Sequence, residues 1–593
     1  MRLPHLSHRT LLDVFPFVHW LNSYSRGDFR GDLLAGVTVA VVLIPQAMAY
    51  AMLAGLPPVY GLYAGAITPL IAALWGSLRQ LATGPIAIMS LLVLTTLTPL
   101  AEPGSEEFIR LALLLSLLVG LVYLLVGIFH FGQVMTFISH SAVKGFTAAA
   151  ALIIISTQIP GFLGITVSRH EFVLPMVVEI ARELTHFHWP TTVIGVASFA
   201  LIYGLRRYRP QLPAGLLALV ISSGLVYFFE LHESGIAIIG QIPSGLPALQ
   251  FPHLEFRTVS TLIGPAVVIA MVSFAETYSV GKAISAETKQ KVDINQEFVG
   301  QGLANIVGSF FQCYPVSGSF SRSAINFSAG AKTGISSVIA SLLVILALLF
   351  LTPLLTFIPK AALAALVISA VLLLFHPMKV VETWRQNRND GVVAVTVFLL
   401  ALLTKPDYGL LIGVMISLIL FLWKTMHPRI VRETRDPELG RFINADQFRK
   451  PSCPQILHLR SDNVIYFANA EYTANQIMKM VNAVDSPLKF VLLDFHSVSF
   501  IDITGVEELR SLQEDLESKG IRLSLMSIHR PVMDTFRSTG FIHELEKSCY
   551  FEKTWDNQHR GNAITQLFQE IDHAYCRDQC PYSLFKECDS VKS

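Results

Sequence analysis

Long apolar runs alternate with short polar stretches from about residue 31 to residue 426, and from about 453 the pattern changes to short strands and amphipathic helices. The apolar segments fall near 33–54, 60–75, 84–98, 108–130, 141–165, 190–206, 213–231, 260–281, 294–311, 319–331, 335–358, 360–375, 391–404 and 409–425. A helix needs about 20 apolar residues to cross the roughly 30 Å hydrocarbon core. The pattern therefore predicts a polytopic α-helical membrane protein of fourteen spans, several of them short or interrupted by Gly and Pro. The stretch 172–186 carries charges at helical spacing and reads as interfacial.

Charge sharpens the division. Residues 431–593 hold 43 of the 87 charged residues and residues 1–430 the other 44, so the first part is built for lipid and the second for water. The net charge of +1 excludes a broadly basic nucleic-acid binder and an acidic disordered chain. Six cysteines, at 313, 453, 549, 576, 580 and 588, are too few and too scattered for a disulfide scaffold. Residues 1–30 lack a long apolar core and a small-residue cleavage site and read as a cytoplasmic segment. The expected organisation is 1–30, a transport domain at 31–426 with repeats at about 31–231 and 258–426, a linker at 427–452, an α/β domain at 453–550 and a tail at 551–593.

The positive-inside rule orients the spans. With Arg2, Arg9, Arg26 and Arg30 in the cytoplasm, the basic groups Arg206/Arg207/Arg209, Lys282/Lys289/Lys291 and Lys379/Arg385/Arg388 also fall inside. The acidic loop from Glu102 to Glu107 falls outside, and Lys360 and Lys405 conflict mildly. An even number of spans returns the charged tail to the cytoplasm. The expectation is a multi-pass protein of the cell membrane with both termini cytoplasmic.

Two short segments stand out. The third opens on Thr83-Gly84-Pro85, with Pro suited to a first helical position, and the tenth on Ser317-Gly318-Ser319-Phe320-Ser321-Arg322. Each is the third span of a seven-span half. Seven is odd, so the halves have opposite orientation, and paired interrupted segments in matching positions mark the binding site of an inverted-repeat transporter. Half-helices that start in mid-membrane aim free N–H groups and positive dipole ends at the midplane, which suits an anion. Arg322 would add a full charge there, or else pair structurally with a carboxylate. Thr83, Ser317, Ser319 and Ser321 are candidates to meet oxyanion oxygens or simply to pack.

Glu276, in VVIAMVSFAETYSVGKAI, sits mid-span in the eighth segment. It is a candidate to carry a proton with the substrate, to bind Na+, or to pair with Arg322 or Lys282. Gln46 is a polar residue in an apolar first span, suited to substrate contact or to interhelical hydrogen bonding.

At these residues a resemblance becomes specific. LIPQAMAYAMLAGLPPVYGLY (43–63), GSLRQLATGPIAIMSLL (76–92) and YPVSGSFSRSAINFSAGAKT (314–333) resemble the signatures of the sulfate permease (SulP) anion transporters, and the match runs in order along nearly the whole chain. The resemblance implies a 7+7 inverted repeat divided into core and gate domains, an elevator-type motion, and a homodimer. It places the anion between Gly84, Pro85 and Ile86 on one side and Phe320, Ser321 and Arg322 on the other, with Gln46 and Ala47 of the first span beside it. ETYSVGKAIS (276–285) resembles the sulfate importers in which an acid here is linked to proton symport. Sodium-coupled bicarbonate transport, or an exchanger or channel on the same scaffold, is the alternative. A membrane-anchored signalling module with a vestigial core fits the intact motifs less well. No nucleophile–base set stands out in the spans, so an enzyme is not expected.

In the charged tail, ILHLR (456–460), NVIYFAN (463–469) and FVLLDFHSVSF (490–500) read as strands, and EYTANQIMKMV, VEELRSLQEDLESKG and RPVMDTFRSTG as helices. The order resembles the STAS domain shared with anti-sigma-factor antagonists, which implies a regulatory protein as a possible partner. In such antagonists the hydroxyl residue at the place of Thr504 is phosphorylated; the local expectation for Thr504 is an ordinary helix N-cap. No GxxxxGK[ST] nucleotide signature is present. His573, Cys576, Cys580 and Cys588 have a spacing that could ligate zinc or an iron–sulfur cluster but match no standard pattern, so free thiols are expected, with no metal and no cofactor.

Overall fold

The computed structural model describes residues 16–21, 24–132, 139–168, 173–209, 212–290, 292–373, 375–404, 406–436, 441–545, 550–551 and 557–592. Arg2, Arg9, Lys291, Lys405 and Cys549 lie outside the described residues. The chain divides into two units, Met1–Leu418 and Ile419–Ser593.

In the first unit every apolar segment becomes a helix. After a short α1 (Phe17–Leu21) come α2 (Arg26–Leu53), α3 (Pro58–Trp75), α4 (Ala87–Leu97), α5 (Glu106–Ile128), α6 (His140–Leu163), the amphipathic α7 (Val173–Glu183), α8 (Trp189–Tyr208) and α9 (Ala214–Phe228). The second half supplies α10 (Phe256–Thr288), α11 (Ile294–Phe310), α12 (Phe320–Ser328), α13 (Ile335–Leu355), α14 (Lys360–Val371), α15 (Pro377–Gln386), α16 (Arg388–Leu403) and α17 (Pro406–Met426). The amphipathic α15, which buries only Val380 and Thr383, was not expected as a separate element. Its four charged or polar exposed positions broke the apolar signal on which span reading depends.

The packing repeats under a seven-for-seven exchange. α5 packs on α11 as α13 packs on α3; α5 on α10 as α13 on α2; α6 on α16 as α14 on α8; α2 on α12 as α10 on α4. This is the inverted repeat seen directly. The pairs fall into two bundles, a core of α2–α5 with α10–α13 and a gate of α6, α8, α9, α14 and α16. Lipid offers no hydrophobic drive between helices, so close approach relies on small residues. A Cβ on Gly302 of α11 would lie 2.8 Å from the Leu124 nitrogen of α5, and one on Gly145 of α6 would lie 2.2 Å from the Ala394 carbonyl oxygen of α16.

The second unit is an α/β sandwich. Numbered after the two short strands of the first unit, Thr83–Gly84 (β1) and Ser317–Gly318 (β2), its strands are Ile430–Asp436 (β3), Arg441–Asn444 (β4), Ile456–Ser461 (β5), Phe490–Asp494 (β6), Arg522–Met526 (β7) and Tyr550–Phe551 (β8), and its sheet runs β4-β3-β5-β6-β7-β8. β5 to β8 are parallel, whereas β3 is antiparallel to both its neighbours. Alternation divides the two faces: Leu457, Leu459, Val491, Leu493, Leu523 and Leu525 meet one layer of helices, and Ile456, Phe490, Leu492 and Met526 meet the other.

Three expectations change here. The stretch read as a linker, 427–452, supplies β3 and β4. Its charges broke the apolar pattern of a strand, but Arg432 of β3 pairs with Asp446 in the short helix Ala445–Phe448 that follows β4. The stretch 463–469 is not a strand; beyond a single bridge from Ile465 to Ile501 it turns into the helix Ala470–Asn482. The tail is part of the fold: Ala563, Ile564, Leu567, Phe568, Cys576 and Cys588 pack against the second face. Burial pushes the Cys453 thiol beside them up to about 12, so it is protonated at neutral pH.

Candidate functional site

The site is built where the two repeats cross. Thr83–Gly84 (β1) pairs antiparallel with Ser317–Gly318 (β2), Thr83 opposite Gly318 and Gly84 opposite Ser317. Gly84 has φ +145°, open only to glycine, and a Cβ there would meet the Arg322 guanidinium at 3.3 Å. Both strands run straight into half-helices. α4 starts at Ala87 with Ile86 as its N-cap, and α12 starts at Phe320 with Ser319 as its N-cap. Pro85 is therefore not at the first helical position, because the extended strand carries the backbone past it.

The two caps differ in a way that matters. Ser319 Oγ accepts from the Arg322 amide at 3.4 Å. Ile86 has no side-chain oxygen, so the first-turn N–H groups of α4 have no capping acceptor from it. A helix end inside a protein that is left uncapped is a ready anion site.

Both helix starts face one cavity of about 780 Å³. Ile86, Ala87 and Ile88 line it from one repeat, Ser319, Phe320 and Ser321 from the other, and Gln46 and Tyr50 of α2 lie alongside. Its charged lining is strongly one-sided. Lys144, Arg206 and Lys379 come from or near the gate helices, with His140 and His376 also in the lining, and Glu276 of α10 is the one acid among the lining residues. Lys144 Nζ donates to Thr383 Oγ1 at 3.4 Å and Arg206 Nη1 to the Ser369 carbonyl at 2.8 Å, which hold two of these cations in place.

The expected site residues separate into two groups. Gln46, Ile86, Glu276, Phe320 and Ser321 line the cavity. Ala47, Gly84, Pro85 and Arg322 are buried behind it. Arg322 is 1% exposed; its Nη1 donates to the Pro85 carbonyl at 2.7 Å and lies 3.5 Å from Gln46 Oε1. It thus ties the two half-helix starts and α2 together. Glu276 has no hydrogen-bond or ion-pair partner among the described residues, so it pairs with neither Arg322 nor Lys282, whose ammonium instead sits 5.3 Å from the Tyr278 ring centre. Thr83 and Ser317 are also committed, to Gln301 and to Thr277.

Sequence reading missed His140, Lys144 and His376 as cavity-lining residues, which carry no motif. It also missed the buried polar row Glu297, Gln301 and Asn305, although its four-residue spacing in an apolar span was a visible signal.

The profile of the sulfate permease family matches residues 29–397. A sulfate transporter of Arabidopsis thaliana, "Sulfate transporter 4.1, chloroplastic", is 35% identical over 92% of this chain and 82% of its own length. The chain belongs to the sulfate permease family. It is accordingly a multi-pass membrane anion transporter and not an enzyme. "Sulfate transporter 1.2" of the same plant is 34% identical over 87% of this chain and 82% of its own. A STAS domain profile matches residues 447–558, which makes the second unit the family's STAS domain. The solved structure of the murine Solute Carrier 26 family member A9 anion transporter in the inward-facing state has a TM-score of 0.86 at 22% identity, covering 96% of this chain and 97% of that one. The transmembrane domain of the cyanobacterial bicarbonate transporter BicA has a TM-score of 0.58 at 21% identity, covering 66% and 98%. Both likenesses are of fold.

In the STAS domain, the N-cap of the helix Ile503–Ser518 is Asp502, whose carboxylate accepts from the Gly505 amide at 2.8 Å. Thr504 lies exposed in the first turn and caps nothing, against the expectation for it. Asp wins the place because its carboxylate also accepts from the Phe467 amide. Of the four tail residues with ligand-like spacing, His573 bonds the Phe568 carbonyl, Cys580 the Tyr582 carbonyl, and Cys576 receives the Gln455 amide. Among the described residues the side chains placed to share an ion are instead Glu433, His458 and Asp494, where His458 lies 3.5 Å from Glu433 and 4.0 Å from Asp494 and Arg460 pairs with Glu433.

Proposed function

We propose that this protein takes up sulfate by secondary active transport, with the anion held between the N-termini of α4 and α12 and protons coupled through Glu276. The uncapped start of α4, facing the start of α12 across a cation-lined cavity, carries the reading. Two helix ends and the surrounding lysine and arginine supply charge, and N–H donors from Ala87, Ile88 and Phe320 supply hydrogen bonds. The similarity to plant sulfate transporters favours a tetrahedral dianion among inorganic oxyanions.

Glu276 supports the coupling. It lines the anion cavity without a fixed partner among the described residues, so it is free to exchange a proton with cavity water. A protonated carboxyl beside a dianion also removes a repulsion that an ionised one would impose. Alternating access would follow from the two bundles: the core carries both half-helices and slides as a unit against the gate. A homodimer, a cell-membrane location with cytoplasmic termini, and a regulatory protein at the STAS surface near Thr504 complete the proposal.

Radiolabelled sulfate uptake into proteoliposomes tests it. An inward proton gradient should accelerate uptake, and uptake indifferent to the gradient rejects the coupling.

A further inference from the structure

The ninth span carries three buried polar side chains on one face. Glu297, Gln301 and Asn305 are four residues apart on α11 and are 6%, 2% and 0% exposed. None touches the cavity. Their partners are the two segments that lead into the half-helices.

Gln301 Nε2 donates to Thr83 Oγ1 at 2.8 Å, in β1. Asn305 takes both polar groups of Val316, accepting from its amide at 2.9 Å and donating to its carbonyl at 3.2 Å, just before β2. Thr83 stands three residues before the cap Ile86, and Val316 three residues before the cap Ser319. Glu297 anchors the row: it accepts from the Ser77 and Leu78 amides at 2.9 and 3.0 Å and from Gln301 at 3.2 Å. One helix thus grips both chain crossings at equivalent points. Its counterpart in the first repeat, α3, offers no such row; the hydroxyl of Thr68 there is spent on its own helix at the Ala64 carbonyl.

Ordinary interhelical glue would scatter such bonds over whatever faces it. Here Gln301 and Asn305 reach the residues three before each half-helix cap, Thr83 and Val316. We infer that Gln301 and Asn305, anchored by Glu297, are positioning residues for the anion site, setting the separation of the two helix N-termini. This rests on the reading of those N-termini as the anion site.

The test is equilibrium binding of radiolabelled sulfate to the purified full-length protein, with uptake KM and Vmax alongside. Gln301→Leu and Thr83→Val both remove the Gln301–Thr83 bond, the former together with the bond to Glu297. Each should weaken binding about tenfold and raise KM while sparing Vmax, and the double variant should be no worse than Gln301→Leu alone. Thr83→Ser, which keeps the acceptor, should restore wild-type affinity. Wild-type affinity in Thr83→Val, or strictly additive losses in the double variant, would overturn the proposal while leaving the anion site itself standing. Where Gln301→Leu fails to fold, the Thr83→Val and Thr83→Ser pair decides alone. Absence of saturable binding in the wild type would instead remove the anion-site reading and this inference with it.

Discussion

Arg322 Nη1 donates to the Pro85 carbonyl at 2.7 Å, so the first turn of one repeat's half-helix is tied to the last residue before the other's cap. The arginine is 1% exposed and shows no ion pair among the described residues. It lies behind the two helix starts and does not line the cavity.

That placement separates charge from geometry. Arg322→Lys keeps the cation but cannot reproduce the guanidinium fork, whereas Arg322→Ala loses both. A hydrogen bond to a charged group is worth about 1.5–3 kcal/mol, so Arg322→Ala should weaken sulfate binding by about 10- to 100-fold, with Arg322→Lys in between. Equilibrium binding to the purified variants measures both; equal affinity in all three proteins would show that the bridge is only structural.

The cavity cations should govern the rate of arrival. Lys144, Arg206 and Lys379 line the cavity with Glu276 as the one opposing acid among its lining residues. Replacing Lys144 and Lys379 by Gln should lower the initial uptake rate several-fold at low ionic strength, and the gap should narrow toward about 0.5 M salt as screening sets in. Uptake rates over a salt series check this, and a salt-independent deficit would argue for a direct binding role.

In the STAS domain the cap and the exposed hydroxyl make opposite predictions. Asp502→Ala removes acceptors for the Gly505 and Phe467 amides and should cost about 1–2 kcal/mol of domain stability. Thr504→Ala removes an exposed hydroxyl with no capping bond and should be near neutral, within about 0.5 kcal/mol. Thermal unfolding of the full-length variants distinguishes them.

These residues also show how far the sequence could be read. The fourteen segments and the two interrupted ones were legible because lipid demands long apolar runs and because Gly and Pro punctuate them. That frame pointed to the two helix starts and to Gln46 and Glu276, and the family resemblance added Ile86, Phe320 and Ser321; all five of these residues line the cavity. What hid was anything set by tertiary partners. Arg322 carries a charge that a one-dimensional reading aims at the ligand, but the Pro85 carbonyl claims it. Thr504 looks like a cap until Asp502, two residues earlier, takes the role. The packing of the tail hid because the sheet face that receives it is built from Ile456, Phe490, Leu492 and Met526, far from it in the chain.

Glu276 carries the coupling prediction. Glu276→Gln keeps the shape and removes the ionisable group, so sulfate binding should persist while acceleration by an inward proton gradient disappears. Exchange of labelled for unlabelled sulfate without a gradient should continue in the variant. A gradient response equal to wild type would assign the coupling elsewhere.

The central claim is that the two helix starts bind the anion, and Ser321→Glu tests it most directly. Ser321 lines the cavity in the first turn of α12, where a carboxylate is favourable to the helix and would occupy the anion's place with like charge. Two like charges about 4 Å apart at an intermediate dielectric repel by about 4 kcal/mol, so sulfate binding should fall by at least about 100-fold while the melting temperature holds or rises. Saturable sulfate binding at wild-type affinity in a folded Ser321→Glu protein would contradict the account.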